Sequence, residues 1–229
     1  MYDDVEPRQV SVAPIDLLKR SMDLMGDQYL LFTAITFVGM FIGNIVPIVL
    51  FGPMLCGIYF SFFRRARGEA VTFEMLFRGF DYFLESLIAA IVAMAAQAVV
   101  IIPAYLIIIG GIVGAFAGGG GLISILAVLV SVVGYFLILL LSVLIPAFLV
   151  FVPALIVDRQ MTAMPAIKLS IKAVSTNLIG VLTMSIVYAV ISFAASCACL
   201  IPAFFFAPIA IGATAILYQD IFGGTKHAE

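Results

Sequence analysis

The sequence predicts an all-α fold: a polytopic integral membrane helical bundle of six transmembrane helices, with three cytoplasmic amphipathic interfacial helices, arranged as three helix-plus-hairpin units. Three observations predict it. Of the 229 residues, 65% are hydrophobic and 10% charged, at a mean hydropathy of +1.27, whereas soluble domains carry roughly a quarter charged residues. Apolar runs longer than the roughly 20 residues that cross a bilayer core recur along the chain. Charged segments with helical spacing separate those runs. The whole of 1–229 reads as a single integral membrane domain, with polar tails at 1–13 and 220–229.

Asp3, Asp4 and Glu6 precede any apolar run, the wrong composition for a cleaved signal peptide, so the chain is expected to start in the cytoplasm. Pro14 to Asp27 reads as a first amphipathic helix, with Asp16, Arg20, Asp23 and Asp27 on one face. Tyr29 to Phe63 holds 35 residues without a charge. One straight helix of that length measures on the order of 50 Å, against a core of about 30 Å. Gly43, Asn44 and Pro47 therefore predict a hairpin turning near residues 43 to 47, with a single kinked helix as the alternative. Lys19 and Arg20 before this run and Arg64, Arg65 and Arg67 after it put both ends in the cytoplasm, which requires an even number of crossings.

Thr72 to Glu85 is a second amphipathic segment: Glu74, Arg78, Asp81 and Glu85 repeat the first spacing and sign order at an offset of 58, opposite Phe73, Leu76, Phe77, Phe80 and Leu84. Ser86 to about Ile109 is a third span, and Gly110 to Gly121 an uncharged flexible connection outside. Leu122 to Val157 must then cross an odd number of times, which predicts one long span kinked by Pro146 and Pro153. Pro153 to Asn177 is the third amphipathic segment. With Pro165 in its first turn, Ile167, Ile171, Val174 and Leu178 share one face and Lys168, Lys172 and Ser175 another; without an acid on that stripe it is the most cationic of the three. Leu178 to Tyr218 contains 41 uncharged residues, enough for two spans meeting near Cys199 to Pro202. All 11 Lys and Arg and all 13 Asp and Glu fall on the cytoplasmic side of this arrangement, as the positive-inside rule asks of the basic residues.

Sequence echoes support the repeat. LIPAF occurs at Leu144 to Phe148 and at Leu200 to Phe204; Pro47, Pro53 and Gly57 match Pro202, Pro208 and Gly212 at an offset of 155; Lys19 and Ser21 match Lys168 and Ser170 at 149. The segments PALIVDRQMTAMPAIKLSIKAVSTNLIG, FGPMLCGIYFSFFRRARGE and LYQDIFG carry an Asp-Arg pair (Asp158, Arg159), an Ala-Ile-Lys-x-Ser helix (Ala166, Ile167, Lys168, Ser170) and an Asn opening the next span (Asn177). In these the chain resembles bacterial six-span membrane families of unassigned function, related to the membrane domain that precedes some glycerophosphodiester phosphodiesterases. The resemblance implies that fold in a bacterial plasma (inner) membrane. It carries over no phosphodiesterase activity, because no residues remain for a hydrolase domain.

No ionisable group lies in a predicted span, which disfavours a proton-driven pump. Asn44 and Gln97 are the notable intramembrane polar residues, read as a turn residue and an interhelical hydrogen bond. Cys56, Cys197 and Cys199 lack the partners of a metal site. His227 stands alone in the tail, and Gly118 to Gly121 lacks the Lys-Ser/Thr of a phosphate loop. Gly114 and Gly118 form a small-xxx-small pair for close packing, within the chain or between protomers of a homo-oligomer. Arg64, Arg65 and Arg67, with Arg78, Arg159, Lys168 and Lys172, are candidate contacts for anionic lipid or an acidic protein partner. The dispersed basic residues leave no footprint for nucleic acid, and no cofactor is implied. The expected role is a non-enzymatic scaffold or accessory subunit whose cytoplasmic amphipathic collar faces lipid or a protein partner. The alternative is a transporter or channel-like protein for an uncharged or lipidic solute, built on the proline-broken spans.

Overall fold

The computed structural model describes residues 6–117, 121–197 and 201–223, and among these every regular element is helical. In order they are α1 (Pro14–Met25), a 3-10 turn (Gly26–Gln28), α2 (Tyr29–Ile45), α3 (Pro47–Ala66), a 3-10 helix (Phe73–Tyr82), α4 (Phe83–Ala117), α5 (Leu122–Phe148), α6 (Val152–Arg159), α7 (Ala163–Thr176), α8 (Leu178–Cys197) and α9 (Ile201–Phe222). Six helical runs are long and apolar enough to cross a membrane. The chain divides into two compact units, Met1–Ile91 with Ala147–Glu229, and Val92–Pro146.

The larger unit is built around α3. Its buried residues, Pro53, Met54, Cys56, Gly57, Ile58, Tyr59, Ser61, Phe62 and Phe63, occupy every side of the helix, and α2, the 3-10 helix, α6 and α9 pack on it. The hairpin turn falls where the sequence places it. Val46, non-helical at φ −130° and ψ 80° ahead of Pro47, separates α2 from α3, as the residue before a proline is pushed out of the helical region.

Three expectations are corrected. Phe73–Tyr82 is a 3-10 helix. Its three-residue repeat aligns Leu76 and Gly79 toward α3, where both meet the Pro53–Gly57 turn: a Cβ on Gly57 would stand 1.8 Å from the Leu76 carbonyl oxygen, and one on Gly79 1.9 Å from that of Pro53. The same repeat brings Arg78 and Asp81 together at 3.4 Å and moves Glu74 off their line. The region between Gly110 and Ala117 continues α4, because Gly111 lies against Ser131 and the Ala127 carbonyl of α5, so close that a Cβ would be 2.0 Å from Ser131 Oγ. Gly118 and the rest of 118–120 lie outside the described residues. Leu122 to Val157 falls largely within one of the six apolar runs and is interrupted between its two prolines, α5 ending at Phe148 and α6 starting at Val152. Pro153 to Asn177 is likewise two helices, α6 ending at Gln160 in the left-handed region, φ 50°. On α7, Ile167 and Val174 are buried together with Ala163, Ala166, Ser170 and Ala173, whereas Ile171 is exposed, as is Leu178 at the start of α8.

The repeat has a structural counterpart. The offset of 149 that relates Lys19 to Lys168 also relates the first residues of α1 and α7, Pro14 and Ala163, and those of α2 and α8, Tyr29 and Leu178. Three stretches begin at similar prolines: Pro53 in α3, Pro153 in α6 and Pro208 in α9. Each carries the short helix of the following unit, the 3-10 helix on α3, α7 on α6 and α1 on α9. The docking is therefore cyclic. The matched glycines serve it alike, Gly57 receiving Leu76 and Gly212 receiving Ser21 and Phe62.

The smaller unit is a two-helix hairpin of α4 and α5 residues. Ser124 Oγ donates to the Ala115 carbonyl at 3.0 Å, and Ser131 Oγ to the carbonyls of Ala127 and Ile108 at 3.0 and 3.4 Å. Gly114 makes an ordinary contact with Ala127. Val92–Pro146 contains no Asp, Glu, Lys or Arg.

Candidate functional site

Every described charged residue belongs to the larger unit, on the short helices, the loops leading into them and the ends of α3, α4, α6 and α9. Three side chains at the starts of α2, α4 and α8, Gln28 and Asn177 just ahead of theirs and Glu85 in the first turn of α4, hold these parts together by gripping backbone. Gln28 accepts from Val71 N–H and donates to its carbonyl, both at 3.4 Å, at the entrance to the 3-10 helix. Glu85 accepts from Ala163 N–H at 2.7 Å, at the first residue of α7, where a carboxylate also suits the positive end of the helix. Asn177 accepts from Val10 N–H at 2.9 Å and donates to the Arg8 carbonyl at 3.0 Å, ahead of α1. Gln28 and Asn177 stand at the repeat offset of 149. The three grips follow the same cyclic order as the docking of the short helices.

A second cluster ties α6 to α9. Tyr218, fully buried, donates to Asp158 Oδ2 at 2.9 Å and accepts from Arg159 Nε at 3.3 Å. Arg159 also donates to the Phe222 carbonyl at 2.9 Å and lies over the Phe222 ring. Rings of Phe63, Phe151 and Phe222 surround Tyr218 at 5.0 to 6.4 Å. Arg20 and Asp220 form a bidentate pair at 2.7 and 3.0 Å between α1 and α9. Ser170 joins α7 to the α5–α6 break, donating to the Phe148 carbonyl at 2.8 Å and accepting from Phe151 N–H at 3.3 Å.

The candidate contact residues divide accordingly. Arg64 pairs with Glu69 and covers Phe60; Arg67 lies 3.6 Å from the same Glu69. Arg65 reaches Asp27 at 2.6 Å and the Leu24 carbonyl at 3.0 Å, so it joins the end of α3 to the end of α1. Arg159 belongs to the Tyr218 cluster. Arg78, 67% exposed at its side chain, lies 3.4 Å from Asp81, three residues on. Lys172 is exposed and 3.7 Å from Glu6, so the α7 stripe meets an acid that its own sequence lacks. Lys168 is exposed and, among the described residues, has no carboxylate within 4.0 Å. Asn44 donates to the Met40 carbonyl one turn back at 2.7 Å and is exposed at the hairpin tip. Gln97 is half-buried on α4.

Sequence reasoning missed the roles of Gln28, Glu85, Tyr218 and Asp220. Their signal was position: each is a polar group within a turn of where an apolar run begins or ends. Cys56 is buried in α3; Cys199 and His227 lie outside the described residues. No protein-family model, no curated protein and no solved structure matches the chain.

Proposed function

We propose that the protein is a non-enzymatic, multi-pass scaffold or accessory subunit of a bacterial plasma membrane. Its three hairpins open toward the cytoplasm, both termini lie there, and the short helices form an amphipathic collar facing anionic lipid or an acidic protein partner. The resemblance to six-span membrane families is part of this reading. The observation that carries it is the segregation of charge: α4 and α5 present Ile112, Phe116, Leu129, Phe136 and Leu140 to their surroundings from a stretch with no charged residue, while the charges gather on the cyclic assembly. An apolar surface of that extent belongs in lipid. Packing on all sides of α3 favours a scaffold over a carrier with a central cavity. Of the candidate arginines, Arg65 and Arg159 join separate segments and Arg64 and Arg67 pair locally with Glu69, which leaves Arg78, Lys168 and Lys172 as the outward cationic contacts.

Single cysteines at Ala117 and Arg67, in a variant lacking the native three, test the orientation. Position 117 is expected to react with an impermeant maleimide from outside the cell and position 67 only after lysis; labelling of position 67 from outside overturns the reading.

A further inference from the structure

The three backbone grips differ in one respect. Gln28 and Glu85 hold segments that follow them in the chain, whereas Asn177 holds residues 6–12, which come from the far end of the sequence. This last grip closes the cycle, and it is the most complete. The Asn177 carboxamide takes both Val10 N–H and the Arg8 carbonyl, while Arg8 N–H donates to the Ile221 carbonyl at 3.0 Å. Val12 lies against Gly180, where a Cβ would come within 2.4 Å of it, and Glu6 approaches Lys172. The segment is non-helical and is held chiefly through its backbone. An amide side chain that pairs with one N–H and one C=O reads a peptide backbone rather than a particular side chain.

We infer that Asn177, Gly180 and the Ile221 carbonyl form a docking seat for an extended peptide, occupied in cis by this chain's own residues 6–12. The chemistry it selects is an extended backbone with a small apolar residue over Gly180 and an acidic residue near Lys172. The segment meets the rest of the assembly through few side chains, so it is the junction of the cycle most able to open locally. A peptide of the same class competes for the seat and releases the strap, which makes the collar a surface that a peptide partner can open.

The test uses the full-length protein in detergent micelles and limited trypsin digestion, with mass detection of the cut after Arg8. Both backbone groups of Arg8 are bonded in the docked state, so cleavage reports release. Asn177→Ala is expected to accelerate that cut about tenfold, from the loss of two hydrogen bonds, with cleavage after Arg65 unchanged. Asn177→Asp, which keeps an acceptor and loses the donor, is expected to fall between. Gln28→Ala, altering the related grip elsewhere, is expected to leave the Arg8 cut as it was, which separates release of the strap from general loosening. A synthetic peptide of residues 6–13, added in excess to the unaltered protein, is expected to accelerate the cut as well. An Arg8 cut unmoved by Asn177→Ala, moved equally by Gln28→Ala, or indifferent to the peptide overturns the seat. Charge segregation and orientation are read by the cysteine labelling and stand or fall independently of it.

Discussion

Two helices apolar enough to cross a membrane, α3 and the more apolar α5, live in different surroundings. More than half of the most apolar stretch of α3 is buried within the protein, against 6% in the run that contains α5. Both would be read as spans from hydropathy alone. The difference is made by glycine and charge. α3 has Gly57 at the point where another backbone crosses it, and α2, the 3-10 helix, α6 and α9 pack around it. The α4–α5 hairpin spends Gly111 and Gly134 on its own internal contact and leaves its outer surface to whatever is apolar around it. The cyclic assembly is thus held by protein packing and the hairpin by its solvent, so the two should fail in different ways.

The strongest way to break the contrast is to place a Cβ at each crossing. Gly57→Ala forces a methyl group to 1.8 Å from a backbone oxygen that cannot swing away, so thermal unfolding in micelles is expected to show a loss of more than about 4 kcal/mol. Gly114→Ala meets only the Ala127 Cβ at 3.5 Å and gains helix propensity, so stability is expected to hold or rise by up to about 1 kcal/mol. Equal melting temperatures for the two variants would remove the distinction between the crossings.

A charge tests the other side of the comparison. Phe136, near the middle of α5, is 66% exposed, and Phe136→Lys is expected to cost about 2.5–3.5 kcal/mol of membrane insertion if lipid covers it. Thr176→Lys, on an exposed position of α7 in the charged assembly, is expected to insert as the unaltered protein does. The measure is the fraction of each variant resisting carbonate extraction. Equal resistance would mean that α5 is covered by something other than lipid.

The hairpins and the turn at Val46 were legible in the sequence because Pro47 and the length of the uncharged run leave few alternatives. So was the offset of 149 that relates Lys19 to Lys168, which the starts of α1 and α7 and of α2 and α8 repeat. The cyclic docking was not, because the contacts join units far apart in the chain: Gly79 meets Pro53, but Ser21 meets Gly212 and Glu85 meets Ala163. The split of Pro153 to Asn177 was hidden because Gln160, not a glycine, takes the left-handed conformation. The continuation of α4 through Gly110 and Gly111 was hidden because Gly111 answers a tertiary contact with α5, and local propensity argued for a loop. Of the candidate site, the basic residues were visible by type; that Arg65 and Arg159 mainly hold the fold depends on acids, a hydroxyl and carbonyls from other segments.

The mildest contrast compares two tyrosines. Tyr218 is fully buried, and its hydroxyl both donates to Asp158 and accepts from Arg159. Tyr135 is 57% exposed on the hairpin. Tyr218→Phe removes the bridge while keeping the ring among Phe63, Phe151 and Phe222, and leaves Asp158 one donor short. A hydrogen bond to a charged group contributes about 1.5–3 kcal/mol, and Arg159 retains its bond to the Phe222 carbonyl, so a loss of about 1–2 kcal/mol is expected. Tyr135→Phe is expected to change stability by less than about 0.5 kcal/mol. If Tyr218→Phe is equally silent, the closure of α9 onto α6 rests on the stacked rings, and Tyr218→Leu, which removes the ring as well, is then the variant that loosens it.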